Sequence, residues 1–137
     1  MGTRRQAREH ALSILYQIDI SKSSPEEALR LFWKDDPADA DVMEFARTLV
    51  RGAVEHRGRI DELIADASTN WKLPRMSYVD RNILRLATFE LLELDDVPPM
   101  VSVNEAIELG KRYGTTDSGG FINGVLDRVA RTLEVVP

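Results

Sequence analysis

Ser77-Tyr78-Val79-Asp80-Arg81-Asn82-Ile83-Leu84-Arg85-Leu86-Ala87-Thr88-Phe89-Glu90-Leu91-Leu92-Glu93-Leu94 is the stretch that decides the fold. Ser77 predicts a helix start, with Asp80 placed three residues on as a capping partner. From Ile83 onward, Ile83, Leu84, Leu86, Ala87, Phe89, Leu91, Leu92 and Leu94 leave little polar face. A helix apolar on most sides is enclosed by others, so this segment is predicted to form the centre of a bundle. It stops before Val97-Pro98-Pro99, where proline removes backbone donors.

Helical spacing continues in both directions. Ala7, Ala11, Ile14, Leu15 and Ile18 share one face of a helix predicted over roughly residues 3–20. Ser24-Pro25 with Glu27 forms a capping box for a second helix, running to about Lys34 before Asp35-Asp36-Pro37. Val42, Ala46, Leu49, Ala53, Ile60, Ile64 and Ala67 keep one phase, predicting a single long helix, bent at Gly58 and ending near Asn70. Trp71-Lys72-Leu73-Pro74 is then a connector with buried anchors. Ser102-Val103-Asn104-Glu105 predicts a third capping box, and Gly114 a left-handed helix end. Asp117 or Ser118 opens the last helix, whose stripe is Phe121, Ile122, Val125, Leu126, Val129, Ala130 and Leu133. No strand-like alternation and no internal repeat competes with this pattern. The expectation is an all-α, compact bundle of six or seven helices with short connections.

Composition limits the role. The 137 residues suit one domain, and 43% apolar residues can build its core. No apolar run is long enough to span a bilayer, and Met1-Gly2-Thr3-Arg4-Arg5 opens without the apolar block of a secretion signal. Cysteine is absent, so neither disulfides nor thiolate metal sites enter. A cytoplasmic location fits best. The net charge of −5 gives no overall attraction for nucleic acid, so any RNA site must be a local patch.

Catalytic and cofactor patterns are missing. His10 and His56 sit on different predicted helices, and neither follows a glutamate by three residues. No phosphate-cradling glycine motif occurs, and Asp117 adjoins the Gly119-Gly120 pair. The expectation is a non-enzyme without metal or cofactor. Only the first helix carries a suggestive constellation. At about 100° per residue, Arg5, Arg8, Leu12 and Tyr16 lie within roughly 80° of one another, with Arg4 nearby. Guanidinium groups pair with phosphate, and a tyrosine offers a stacking surface for an unpaired base. The alternative is a solvated basic end paired with Glu9 and the chain's excess acid, with Tyr16 in the core.

Four segments together resemble the NusB family along nearly the whole chain. They are Arg4-Arg5-Gln6-Ala7-Arg8-Glu9-His10-Ala11-Leu12 leading to Leu15-Tyr16-Gln17, then Ile60-Asp61-Glu62-Leu63-Ile64 with Trp71-Lys72-Leu73. Val79 to Ala87 with Glu90-Leu91 follows. The fourth joins Val97-Pro98, Asn104-Glu105-Ala106-Ile107-Glu108-Leu109 and Phe121-Ile122-Asn123-Gly124-Val125-Leu126-Asp127. The resemblance implies two fused helical subdomains, about residues 1–70 and 71–137, within one RNA-binding domain. It implies transcription antitermination on ribosomal RNA operons, where the family protein and NusE, a small-subunit ribosomal protein, hold the single-stranded boxA RNA. Other Nus factors and RNA polymerase join indirectly. It places RNA at Arg4, Arg5, Arg8 and Tyr16, and at Phe121 with Asn123, and it puts Asp80 on the NusE side.

Two positions depart from the family pattern. Gly120 stands where many relatives have lysine, and Gln6 where some have a basic residue. Weaker binding of free RNA, or greater dependence on NusE, would follow. Three phosphate contacts predict a salt slope of about −2, at roughly 0.7 per contact on single strands. Replacing Arg5 and Arg8 by alanine is expected to leave the helical signal intact while weakening boxA binding. The runner-up is the helical RNA-binding part of ribosomal RNA cytosine-5 methyltransferases, disfavoured because no methyltransferase domain precedes Pro137. An unrecognised helical enzyme and a purely protein-binding bundle are further alternatives. A homodimer that buries the basic surface is a separate expectation.

Overall fold

The computed structural model describes residues 2–69 and 71–135. Among them seven α-helices follow one another: α1 Thr3–Ser21, α2 Pro25–Trp33, α3 Ala40–Glu55, α4 Arg57–Ala67, α5 Tyr78–Glu93, α6 Pro99–Tyr113 and α7 Ser118–Thr132. A 3₁₀ turn, Leu73–Arg75, precedes α5. α5 is the axis, packing against α1, α3, α4, α6 and α7. Its Ile83, Leu84, Leu86 and Ala87 are fully enclosed, as an all-round apolar helix requires. Gly52 of α3 lets Phe89 approach so closely that an added Cβ would lie 2.0 Å from the ring.

The long third helix is a correction. The chain turns at His56 (φ −98°, ψ 18°), one residue beyond α3, and α4 starts anew. Both helices direct their stripes into the same core, so the apolar phase runs across a break in axis that spacing cannot register. Gly58 lies inside α4, and Asn70 falls outside the described residues. The third capping box is also absent. α6 begins a turn earlier at Pro99, and the Ser102 hydroxyl is buried, donating 2.8 Å to Glu90 Oε1. Gly114 is extended (ψ −158°), whereas Lys22 (φ 61°) supplies the left-handed end of α1. Ser24 and Ser77 do cap α2 and α5, accepting from the Glu27 and Asp80 amides. Glu27 does not reciprocate; its carboxylate takes Arg30.

Ion pairs lock the helices at depth. Asp19 of α1 is almost wholly buried and accepts from Arg81 (2.8 Å), Asn82 (3.1 Å) and Arg85 (3.3 Å) of α5. Arg85 also grips Asp61 of α4 through Nε at 2.8 Å and Nη2 at 3.1 Å. Burial pushes the Asp19 carboxyl up, but the bonds from Arg81 and Asn82 and the Arg85 charge outweigh it. They hold Asp19 below the usual carboxylate range.

Candidate nucleic-acid interface

Arg4, Arg5 and Arg8 lie along one side of α1, but each is paired with a carboxylate of the same molecule. Arg8 is 4% exposed and donates from Nε (2.9 Å) and Nη2 (2.8 Å) to Glu90, itself 2% exposed. With Ser102 on the same carboxylate, this cluster ties α1, α5 and α6 together. Arg8 therefore does not lie on an accessible flank. The flank angle places it beside the apolar stripe, and α5 and α6 close over it.

Arg5 is half-buried. Its Nε and Nη2 meet the two oxygens of Glu105 on α6 at 3.0 and 2.7 Å. The Arg5 bond and charge hold the Glu105 carboxyl below its ordinary range, against a smaller opposing effect of burial. Arg4 is exposed, stacks 4.4 Å over the Phe45 ring and reaches Asp96 at 3.1 Å. Glu9 pairs with Arg112 and accepts from the Tyr113 hydroxyl at 3.1 Å. Each arginine along this edge has a carboxylate of its own, so its local charge is close to balanced. The expected pairing of the α1 arginines with the chain's excess acid is present, through Asp96, Glu105 and Glu90, but not through Glu9, which belongs to Arg112.

Tyr16 is accessible at 38% exposure rather than enclosed in the core, and meets Tyr78 edge-on at 5.9 Å between ring centres. Tyr78 in turn lies under the Arg81 guanidinium at 4.9 Å. Phe121, in the first turn of α7, packs partly against the core and partly lines a cleft. Asn123 and Gly120 are exposed on the same helix. A Cβ at Gly120 would touch nothing within 4 Å, so the missing lysine is not excluded by space.

The cleft lies where the connector before α5 meets the first turns of α5 and α7. It is an open cleft of about 310 Å³ lined by Trp71, Arg75, Ser77, Asp80, Asp117 and Phe121. Asp80 thus shares a cleft with Phe121, joining two positions that the sequence reading assigned to separate surfaces. Trp71 is a further correction: expected as a buried anchor, it is 53% exposed. Beside it Lys72 and Arg75 are exposed and make no ion pair among the described residues. Sequence reasoning did not single out Trp71, Lys72, Arg75 or Tyr78 as candidates. The available signal was a tryptophan and two cations crowded into a short polar connector.

Comparison with known proteins identifies the scaffold. A model of the NusB family matches residues 5–131. The chain belongs to the NusB family. The transcription antitermination protein NusB of Anaeromyxobacter dehalogenans (strain 2CP-1) is 56% identical over 131 residues, covering 95% of this chain and 92% of the relative. That of Myxococcus xanthus (strain DK1622) is 49% identical over 137 residues, with 97% and 98% covered. Among solved structures, T. maritima NusB superposes with a TM-score of 0.86 at 43% identity, covering 93% of this chain and 90% of its own. A chain from a crystal structure of the antitermination factors NusB and NusE in complex with double-stranded RNA gives 0.88 at 32% identity, covering 96% and 98%. NusB membership and the all-helical fold follow directly. Among the described residues, no helix is long and apolar enough to cross a membrane, and no three metal-type side chains cluster.

Proposed function

We propose that this chain is a cytoplasmic transcription antitermination factor that binds RNA jointly with a NusE-type ribosomal protein and acts by assembly, without catalysis. The carrying observation is the near end-to-end match, at a TM-score of 0.88, to a chain from a complex of NusB, NusE and RNA. The curated relatives named above are antitermination proteins rather than enzymes, which favours this reading over a methyltransferase appendage. The RNA is boxA of ribosomal RNA operons, and other Nus factors and RNA polymerase join through the assembled pair.

Arg4, Arg5 and Tyr16 form one part of the RNA surface, and Phe121 with Asn123 the other. Arg8 supports that surface from beneath, by holding α1 on α5. Asp80 marks where the partner's edge meets the RNA. With Arg8 withdrawn, two α1 guanidiniums remain, and the slope they contribute falls to about −1.4 at roughly 0.7 per contact. Exchange of Glu105 for phosphate on Arg5 makes binding weak until a partner adds surface.

The test is a titration of labelled boxA RNA, single-stranded and duplexed, against a scrambled RNA, with and without NusE. Tighter binding of boxA, strengthened by NusE, is expected. Equal binding of the scrambled RNA in both arms overturns the proposal. Sedimentation across a concentration series shows separately whether a homodimer competes.

A further inference from the structure

We infer that Phe45, on α3, is a positioning residue for RNA: its ring holds the Arg4 guanidinium in place to take a backbone phosphate. The inference rests on the RNA-binding reading above and deepens it by naming a residue that acts through Arg4. The three α1 arginines differ in what they have left to give. Arg8 is sealed against Glu90, and Arg5 spends both Nε and Nη2 on Glu105. Arg4 donates to Asp96 through Nη2 alone, at 3.1 Å, and its side chain is 49% exposed. Its Nε and Nη1 have no protein partner among the described residues. Arg4 can therefore meet a phosphate oxygen without giving up a bidentate pair.

Stability does not account for Arg4 at this place. An exposed pair with one hydrogen bond contributes little. A cation in the first turn of a helix also opposes the helix dipole, and α1 has no acidic residue there to offset it. Asp96 fixes one corner of the guanidinium, and the Phe45 ring, 4.4 Å from Arg4 Cζ, fixes the rest. Phe45 is half-buried and packs on the core, so the ring is itself immobile. Positioning matters here because the surroundings do not attract RNA. Asp41, Glu44 and Asp96 line the same open cleft as Arg4 and Phe45, about 470 Å³ in volume. With that acid beside it, one guanidinium sets up no favourable field at long range. The contact must form at short range, where a side chain already held in place loses less freedom on binding.

The experiment titrates labelled boxA RNA, in the presence of NusE, against the wild-type chain and variants at both positions. Phe45→Leu and Phe45→Met fill the space without a ring. Each is expected to bind about threefold more weakly, the scale of an exposed cation–π contact. The salt slope should stay, because Arg4 keeps its charge. Phe45→Tyr, which keeps the ring, should bind like the wild type. Arg4→Ala should flatten the slope by about 0.7, and adding Phe45→Leu to it should weaken binding no further. A loss from Phe45→Leu that persists in the Arg4→Ala background, or no loss at all, overturns the positioning role and leaves the RNA-binding reading standing. Unchanged affinity in Arg4→Ala does the same. Nitrogen relaxation of the wild-type side chains needs no substitution. Arg4 Nε should be more ordered than Nε of the exposed Arg75, and equal mobility also overturns the inference. If the wild-type chain binds no RNA, the functional reading fails and the inference with it.

Discussion

The α1 edge and the α5–α7 cleft carry similar residue types and differ in how their cations are paired. Along α1 every arginine is matched by a carboxylate, and the deepest pair is sealed from water. At the cleft Arg75 has no carboxylate partner among the described residues, although Asp80 and Asp117 share its lining. The difference teaches that an arginine's worth to a nucleic acid depends on what already holds it. A guanidinium in a buried bidentate pair is part of the scaffold.

Substitutions in both regions, together with acid, probe that contrast. Arg8→Ala leaves the Glu90 charge buried and unpaired, and should cost about 3–5 kcal/mol in denaturant unfolding. Arg5→Ala, at a half-exposed pair, should barely move the midpoint. If the two behave alike, the distinction between scaffold and surface arginines fails. The double change of Arg5 and Arg8 therefore tests stability before it tests RNA.

Acid should loosen the same locked side of the molecule. Asp19 is held below its ordinary range when folded, so the native state binds its proton more weakly than the unfolded chain does. That stabilisation is complete above the unfolded carboxylate pKa, about 4, and is lost as pH falls below it. Unfolding midpoints measured from pH 6 to 3 should drop in the acid limb. Asp19→Asn should flatten that limb.

At the cleft, Trp71→Ala should lose about 1–3 kcal/mol of RNA affinity with unchanged helical circular dichroism, because the ring is largely exposed. Phe121→Ala should lose a comparable amount and also some stability, since its ring touches the core as well. Glu105→Gln frees Arg5 of its charged competitor and should tighten RNA a few-fold at low salt, with the gain fading as salt rises. Weaker binding would show that Glu105 aims Arg5 rather than guarding it. Smallest is Gly120→Lys, which should steepen the salt slope by about 0.7, one added phosphate contact.

Some of this was legible before any coordinates. Helical spacing alone determined the all-α class, the central place of α5 and the approximate span of most helices, because burial imposes a 3.6-residue period locally. The family segments pointed to the right scaffold. Of the aromatic positions they gave to RNA, Tyr16 is accessible and Phe121 is half-buried against the core. Spacing could not show the turn at His56, since two helices feeding one core preserve one phase. Nor could Ser102 be told from a helix cap, because its hydroxyl answers to Glu90, twelve residues away.

The sequence by itself determined which residues are apolar, which are charged and how they repeat along a helix. Only tertiary packing decided which charges meet. Arg8 and Glu90 stand 82 positions apart, and Arg5 and Glu105 stand 100 apart. Those pairings arise when α5 and α6 close on α1. Electrostatic energy depends on distance and burial in three dimensions, and neither is encoded in local spacing.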